Sequence, residues 1–151
     1  MTLSIRPARA DDAPAIVEFN RRMAHETEGL ELDAAILGRG VARALADPSK
    51  GRYLLAESDG QVVGQLMFTT EWSDWRDGWF WWIQSVYVVE SARRLGVFRA
   101  LYDRTAELAR EAGDVIGLRL YVEEHNARAQ ATYLKQGMAR THYLVFERCP
   151  L

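Results

Sequence analysis

Apolar positions along the chain recur with two periods, and each change of period marks an element. Leu3 to Arg6 alternates and is ended by Pro7, which reads as a short strand. Asp11-Asp12-Ala13-Pro14 then sets carboxylates and a first-turn proline ahead of Ile16, Phe19 and Met23. Their spacing of three and four predicts an amphipathic helix capped by those carboxylates. A second helix is expected from Asp33 to Ala46, with Ile36, Leu37, Val41 and Leu45 on one stripe, until Asp47-Pro48 stops it. From Arg52 to Thr70 two β-rich runs flank Asp59-Gly60, a dipeptide that favours a two-residue hairpin turn. Trp79 to Val89 is apolar on both faces, as in a central strand covered by helices on each side. Gly96 opens a helix with Val97, Leu101 and Leu108 on one stripe, and Gly113 closes it. Leu118, Leu120 and Val122 alternate with Arg119, Tyr121 and Glu123, so 117–123 reads as a half-buried strand. Asn126 caps a further helix that stops at Gly137, and Tyr143-Leu144-Val145-Phe146 supplies a last strand. The order β-α-α-β-β-β-α-β-α-β implies an α/β (α+β) chain with a mixed sheet. No Ser/Pro-rich tract, charge block or repeat interrupts it, so 1–151 is expected to be one domain.

Composition narrows the function classes. With 151 residues, 48% of them hydrophobic and 26% charged, the chain can bury a substantial core, which excludes a disordered or fibrous protein. Nineteen basic against 21 acidic residues leave a net charge of -2 and no global field for phosphate backbones, so nucleic acid is not an expected partner. The lone Cys149 has no intramolecular disulfide partner, and the N-terminus carries no apolar run of signal-peptide length, so a cytoplasmic location is expected. The longest apolar stretch, Trp79 to Val89, is broken by Gln84 and falls short of the ~20 residues of a membrane span. His25, His125 and His142 show no metal-ligand spacing with each other or with Cys149, and no G-x-S-x-G elbow occurs, so neither a metal site nor a serine hydrolase is expected.

Two junctions carry candidate chemistry. In Ser85-Val86-Tyr87-Val88-Val89-Glu90-Ser91-Ala92-Arg93-Arg94-Leu95-Gly96-Val97-Phe98-Arg99 a buried strand feeds through a basic turn into a helix. Unpaired N–H groups, a positive dipole end and three arginines could cradle a phosphate, although the turn alone reads equally well as a plain solvated connection. Further on, Asn126-x-x-Ala129-x-x-x-Tyr133-x-x-x-Gly137-Met138 follows the next strand and aligns Asn126, Ala129 and Tyr133 on one helix face. Together the junctions and the element order resemble the GNAT superfamily of acetyl-coenzyme A-dependent N-acetyltransferases over essentially the whole chain.

That resemblance implies a mixed, mostly antiparallel sheet of six to seven strands flanked by about four helices, splayed between the central strand 79–89 and the strand 117–123. It implies acetyl-coenzyme A as co-substrate, its pantetheine arm pairing with Val86, Tyr87 and Val88, and its pyrophosphate held by Arg93, Arg94, Leu95, Gly96, Val97, Phe98 and Arg99. The family pattern is Arg/Gln-x-x-Gly-x-Gly/Ala; Arg93 and Gly96 match it, and Phe98 stands where a small residue is usual. Phe98 is expected to turn towards Tyr102 and the core. By the same resemblance Asn126 hydrogen-bonds the pantetheine arm and Tyr133 protonates the departing thiolate, and a homodimer comes into view.

The chemistry suits those residue types. Backbone N–H groups of the central strand can stabilise the tetrahedral oxyanion of acyl transfer. A Tyr hydroxyl of pKa ~10 can protonate a thiolate whose acid has pKa ~8.5, whereas an amine of pKa ~10.4 must lose a proton before it attacks. The histone-type branch of the family carries a central-strand Glu, but Trp81-Trp82-Ile83-Gln84-Ser85 holds no carboxylate. Glu71 is the preferred substitute base, with Glu28 and Glu31 as further acceptor-side carboxylates; each also reads as an ordinary surface residue. All five tryptophans fall between Trp72 and Trp82. Trp79, Trp81 and Trp82 read as core, while Trp72 and Trp75 sit in the connection, where they could form an amine pocket or a protein contact. The expectation is direct acetyl transfer to a primary amine, of a small molecule or a peptide, in a ternary complex. The rival is a non-catalytic acyl-coenzyme A-binding module that binds a protein through its Trp-rich connection. A third reading, a phosphate-ligand domain of other function, rests on the basic turn alone.

Overall fold

Among the described residues nine helices and strands form, in the order the hydrophobic pattern predicts. They are β1 (Leu3–Pro7), α1 (Ala13–Glu28), α2 (Ala34–Ala46), β2 (Arg52–Ser58), β3 (Gln61–Ser73), β4 (Gly78–Val88), α3 (Val97–Ala112), β5 (Val115–Arg119) and α4 (Ala127–Lys135). The computed structural model describes residues 2–151 and divides into two compact units, one ending at Leu120 and the other running from Tyr121 to Leu151. The first unit holds a single sheet of order β1-β2-β3-β4-β5, with its first four strands antiparallel and β4–β5 parallel. Tyr53 and Leu55 of β2 join Ile16 of α1 and Val41 and Ala44 of α2 in one buried cluster, and Leu54, Leu66, Phe68, Val97 and Leu101 are also buried. β2 is therefore buried on both faces, which accounts for its unbroken apolar run Tyr53-Leu54-Leu55-Ala56.

Local chemistry sets the ends of the helices. The helix expected from Asp33 forms as α2, and the Asp33 carboxylate accepts the Ile36 N–H and caps it. Asp12 does not cap α1 in the same way. Arg6 of β1 takes its carboxylate in two hydrogen bonds of 2.8 and 2.9 Å, and the Arg9 N–H donates to it at 2.6 Å. A nearby guanidinium outcompetes a helix N–H because both partners of the bond are charged. The result ties the first strand to the start of α1.

Three strand expectations change. The strand expected to end at Thr70 runs to Ser73, because Trp72 and Trp79 form a cross-strand pair that extends the hairpin. The strand expected over 117–123 forms over Val115–Arg119; alternation identifies its half-buried face, but pairing with Trp79 to Trp82 of β4 sets its ends. Tyr143-Leu144-Val145-Phe146 forms no strand, and the sheet of the described residues has five strands rather than six or seven. Four β-favouring residues make a strand only when a neighbour accepts their backbone groups. The last helix, α4, ends at Lys135, close to the predicted stop at Gly137.

The Arg6 guanidinium holds the Asp12 carboxyl at about 2, well below its ordinary value. A depressed carboxyl contributes stability that is present above its unfolded pKa near 4 and is lost as pH falls through 2. Asp12→Asn is expected to lower unfolding stability by about 2 kcal/mol at neutral pH. Denaturant titrations of both proteins should converge as pH falls from 4 towards 2.

Candidate active site

The ladder between β4 and β5 covers only Trp79 to Trp82 of β4. Just beyond it the pairing with β3 shifts, Met67 opposing Ser85 and Phe68 opposing Ile83, so that Gln84 is an extra, bulged residue. From Ile83 to Val88 the strand keeps β3 on one side and has no β5 partner on the other. This half is held from one face by α1. Tyr87 is buried, packs on Phe19 with ring centroids 5.3 Å apart, and donates its hydroxyl to Glu26 Oε1 at 3.1 Å. Gln65, fully buried and opposite Tyr87 in the ladder, donates to Asn20 of the same helix at 3.1 Å. Burial, and the Glu26 acceptor beside it, push the Tyr87 phenol above its usual value.

After β4 a short 3-10 turn, Glu90–Ala92, leads into Arg93. Its Nε donates to the Val88 carbonyl at 2.9 Å and its Nη2 to Glu26 Oε2 at 2.7 Å, with the guanidinium 5.6 Å from the Tyr87 ring centroid. Arg93 in turn holds the Glu26 carboxyl below the ordinary carboxylate range. The edge of the guanidinium that carries Nε and Nη2 is thus fixed. Arg94 (φ 67°) and Gly96 (φ 81°) both adopt the left-handed conformation. A turn of this kind makes a concavity of backbone N–H groups suited to an anion, and the dipole of the 16-residue α3 adds to it. A Cβ on Gly64 of β3 would lie 2.9 Å from Val97 and 3.2 Å from the Tyr87 carbonyl, so a glycine there lets the start of α3 approach the sheet. Phe98 turns to Tyr102, ring centroids 6.1 Å apart, as expected. Leu95 is exposed, and Arg99 pairs with Asp103 at 3.6 Å. An open cleft of about 780 Å³, lined by Met23, Glu26, Val86, Tyr87, Val88 and Arg93, lies between the end of α1 and this half of β4.

The acceptor-side candidates stand apart from this cleft. Glu71 pairs across the hairpin with Phe80, six residues before Val86, which is about 20 Å along a strand. Its Oε1 accepts from Arg119 Nη1 at 2.9 Å and from the Trp82 indole at 3.1 Å, and the Arg119 guanidinium lies 3.6 Å from the Phe80 ring centroid. Trp72 lies on β3 rather than in the connection and is 48% exposed, while Trp75 occupies the hairpin turn and is 86% exposed. Glu28 ends α1, and Glu31 lies 3.2 Å from His25; both carboxylates are exposed and neither lines the cleft.

In the second unit Asn126 caps α4, its Oδ1 accepting the Ala129 N–H at 3.1 Å, which leaves its amide N–H groups as donors. Tyr133 is half-buried one helical face along, and burial pushes its phenol above the usual value. Glu123, Glu124 and His125 bring three ligand-type atoms within 4.8 Å of one another, and all three residues are exposed. The residue that sequence reasoning missed is Glu26. It lies 61 residues from Tyr87 and 67 from Arg93, and no local pattern signals the contact.

The model of the acetyltransferase (GNAT) family matches residues 13–138. The crystal structure of a possible acetyltransferase from Clostridium difficile 630 is 42% identical, with a TM-score of 0.93 over 100% of this chain and 99% of that one. Two more distant structures show the same fold. A ribosomal-protein-alanine N-acetyltransferase from Brucella melitensis biovar Abortus 2308 is 19% identical, with a TM-score of 0.77 over 97% of this chain and 98% of that one. An aminoglycoside acetyltransferase from an uncultured soil metagenomic sample, solved with trehalose, is 16% identical, with a TM-score of 0.77 over 99% of this chain and 96% of that one. No curated protein matches the chain.

The close approach at Gly64 is directly testable. Gly64→Ala is expected to cost roughly 1–3 kcal/mol by overpacking against Val97 and the Tyr87 carbonyl, read as a lowered thermal midpoint. An unchanged midpoint would show that α3 can withdraw from the sheet without loss.

Proposed function

The chain belongs to the GNAT acetyltransferase family, and from that premise we propose that it is an N-acetyltransferase of a single domain, 1–151, which moves the acetyl group of acetyl-coenzyme A directly to a primary amine. The observation that carries the proposal is the half of β4 from Ile83 to Val88, which has a ladder partner on one side only and ends at a basic, left-handed turn before a helix. In this reading the pantetheine arm runs along Val86, Tyr87 and Val88 and supplies the backbone partners that β5 does not. The pyrophosphate sits at Arg93 to Arg99, with Arg93 presenting its Nη1 edge and Glu26 acting as the residue that fixes the guanidinium. When bound, the coenzyme supplies the activated thioester.

Asn126 donates an amide N–H to the pantetheine arm. Tyr133 donates its phenol proton to the departing thiolate, and a phenol raised by burial remains fully protonated at neutral pH. Glu71, which stands apart from the cleft, takes the proton of the attacking amine through water. Its Oε1 is held by Arg119 and Trp82, which orients Oε2 as the accepting oxygen. Glu28, Glu31, Trp72 and Trp75 serve the acceptor side, the two indoles offering faces to an organic cation. The acceptor is a small-molecule or peptide amine, acetyl transfer calls on no metal and no membrane, and the enzyme works in the cytoplasm.

Calorimetric titration with acetyl-coenzyme A, followed by turnover assays over a panel of small amines and peptides, tests the proposal; absence of coenzyme binding would overturn it. Tyr133→Phe is expected to lower kcat by about 10²–10⁴ while leaving the KM for acetyl-coenzyme A within a few-fold. Unchanged kcat removes Tyr133 from the mechanism. Glu26→Ala is expected to do the opposite, raising that KM several-fold with kcat nearly kept, because Arg93 loses the partner that holds its plane; Glu26→Gln, which can still accept from Arg93, should restore most of the affinity.

A further inference from the structure

A second charged cluster lies on the sheet where the ladder between β4 and β5 ends. Arg119, the last residue of β5, pairs with Trp82, and Glu71 pairs with Phe80 across the hairpin. Phe80 and Trp82, two residues apart, share a face of the sheet. Glu71 shares a face of β3 with Gln65, which donates to Asn20 of α1, so the cluster lies on the α1 side. A Cβ on Gly117 would lie 2.9 Å from the Phe80 ring, and the glycine therefore lets that ring lie against β5. The Arg119 guanidinium stands 3.6 Å from the ring centroid, and its Nη1 donates to Glu71 Oε1 at 2.9 Å. The Trp82 indole donates to the same oxygen at 3.1 Å. Both charged side chains keep access to solvent, 24% for Arg119 and 46% for Glu71. Among the described contacts Arg119 donates through Nη1 alone and Glu71 accepts through Oε1 alone. A ring face covered by a guanidinium is closed to any other cation. What the cluster offers is a planar fork of N–H donors, suited to a carboxylate, next to an oxygen suited to an amine.

We propose that the acceptor is a free α-amino acid, with its carboxylate on Nε and Nη2 of Arg119 and its amine beside Glu71 Oε2. An α-amino acid carries both groups on one carbon atom, which matches a guanidinium and a carboxylate already in contact. A peptide has lost that carboxylate to an amide, and a polyamine has none. The proposal rests on the functional reading above, in which the pyrophosphate lies beyond the end of β4 and the pantetheine arm runs back along Val88, Tyr87 and Val86. In that direction the thioester comes to residues 83–85, about 3–10 Å along the strand from Trp82 and so beside the end of β5. The amine nitrogen forms the amide bond to the acetyl carbon as the C–S bond breaks. Of the two protons that the ammonium loses, one passes through water to Glu71 and one leaves with the thiol.

Acetylation rates of the full chain over the standard L-amino acids, each beside its amide and its decarboxylated amine, test the proposal, with acetyl-coenzyme A binding measured separately by calorimetry. At least one amino acid is expected to exceed both of its analogues in kcat/KM by about 10²-fold, because the analogues leave the guanidinium fork unpaired. Arg119→Gln, which can still donate to Glu71, is expected to bring that ratio to within a few-fold of one, chiefly by raising the KM of the amino acid. A change that only disturbed packing would slow acid and amide alike and leave the ratio as it was, and a ratio that survives Arg119→Gln overturns the proposal. Where Arg119→Gln does not fold, the wild-type ratio decides alone: amides or amines used as well as the amino acids overturn it. Coenzyme binding with turnover of other amines but of no amino acid overturns the choice of acceptor and keeps the functional reading. Absence of coenzyme binding overturns that reading and the acceptor with it.

Discussion

An interior strand must satisfy backbone groups on both of its edges, and β4 meets that demand from the sheet only as far as Trp82. The rest of the first unit is arranged around this interruption. Gln84 is bulged out two residues beyond Trp82, and a bulge bends its strand and increases the local twist. α1 then pins the remaining half of β4 through Phe19 and Glu26, both on Tyr87, and Asn20 fixes the same helix to β3 through Gln65. α1 is itself tied at its start to β1 by the Arg6–Asp12 pair. A segment with one free edge is thereby braced by side chains from a helix rather than by a second strand.

Glu26 connects this support to the left-handed turn at Arg94 and Gly96. One of its oxygens takes the Tyr87 hydroxyl and the other the Arg93 guanidinium, so the orientation of the strand and that of the turn are set by a single carboxylate. The ionised state of Glu26 is secured by the same contact, since Arg93 lowers its pKa. That is a property of a group that positions others; a carboxylate stabilised as the anion is a poor acceptor of the amine proton. Glu71 is also paired with an arginine, but with one oxygen committed and the other uncommitted among the described contacts.

Sequence patterns carried the elements and their order because those depend on local period. The hairpin turn at Asp59-Gly60, the cap at Asp33 and the turn of Phe98 towards Tyr102 all follow from neighbours within a few residues. The departures come from partners far away in the chain. Asp12 is diverted from its cap by a guanidinium on another element, the end of β5 is set by where β4 stops pairing, and Tyr143 to Phe146 has the composition of a strand without a neighbour to pair with. The coenzyme side of the proposed site was legible for the same reason that the elements were: a strand, a turn and a helix start are contiguous. Glu26 was not, because a glutamate near the end of an exposed helix looks the same whether or not an arginine 67 residues later folds onto it.

The charge of the turn also has a different meaning in the folded protein than in the sequence. Three arginines between 93 and 99 suggest a strong field, yet Arg93 is neutralised by Glu26 and Arg99 by Asp103, both exposed pairs of modest worth. A chain of net charge -2 with two of its three local cations paired cannot attract a polyanion by long-range field alone. What remains is directional: backbone N–H groups in a left-handed turn, the start of α3, and one edge of a fixed guanidinium. These act only at hydrogen-bond range, so in the proposed function selection of a pyrophosphate would rest on the shape of the turn more than on its charge. The left-handed Arg94 is part of that shape, and its backbone strain of about 1–2 kcal/mol is what the fold spends to hold it.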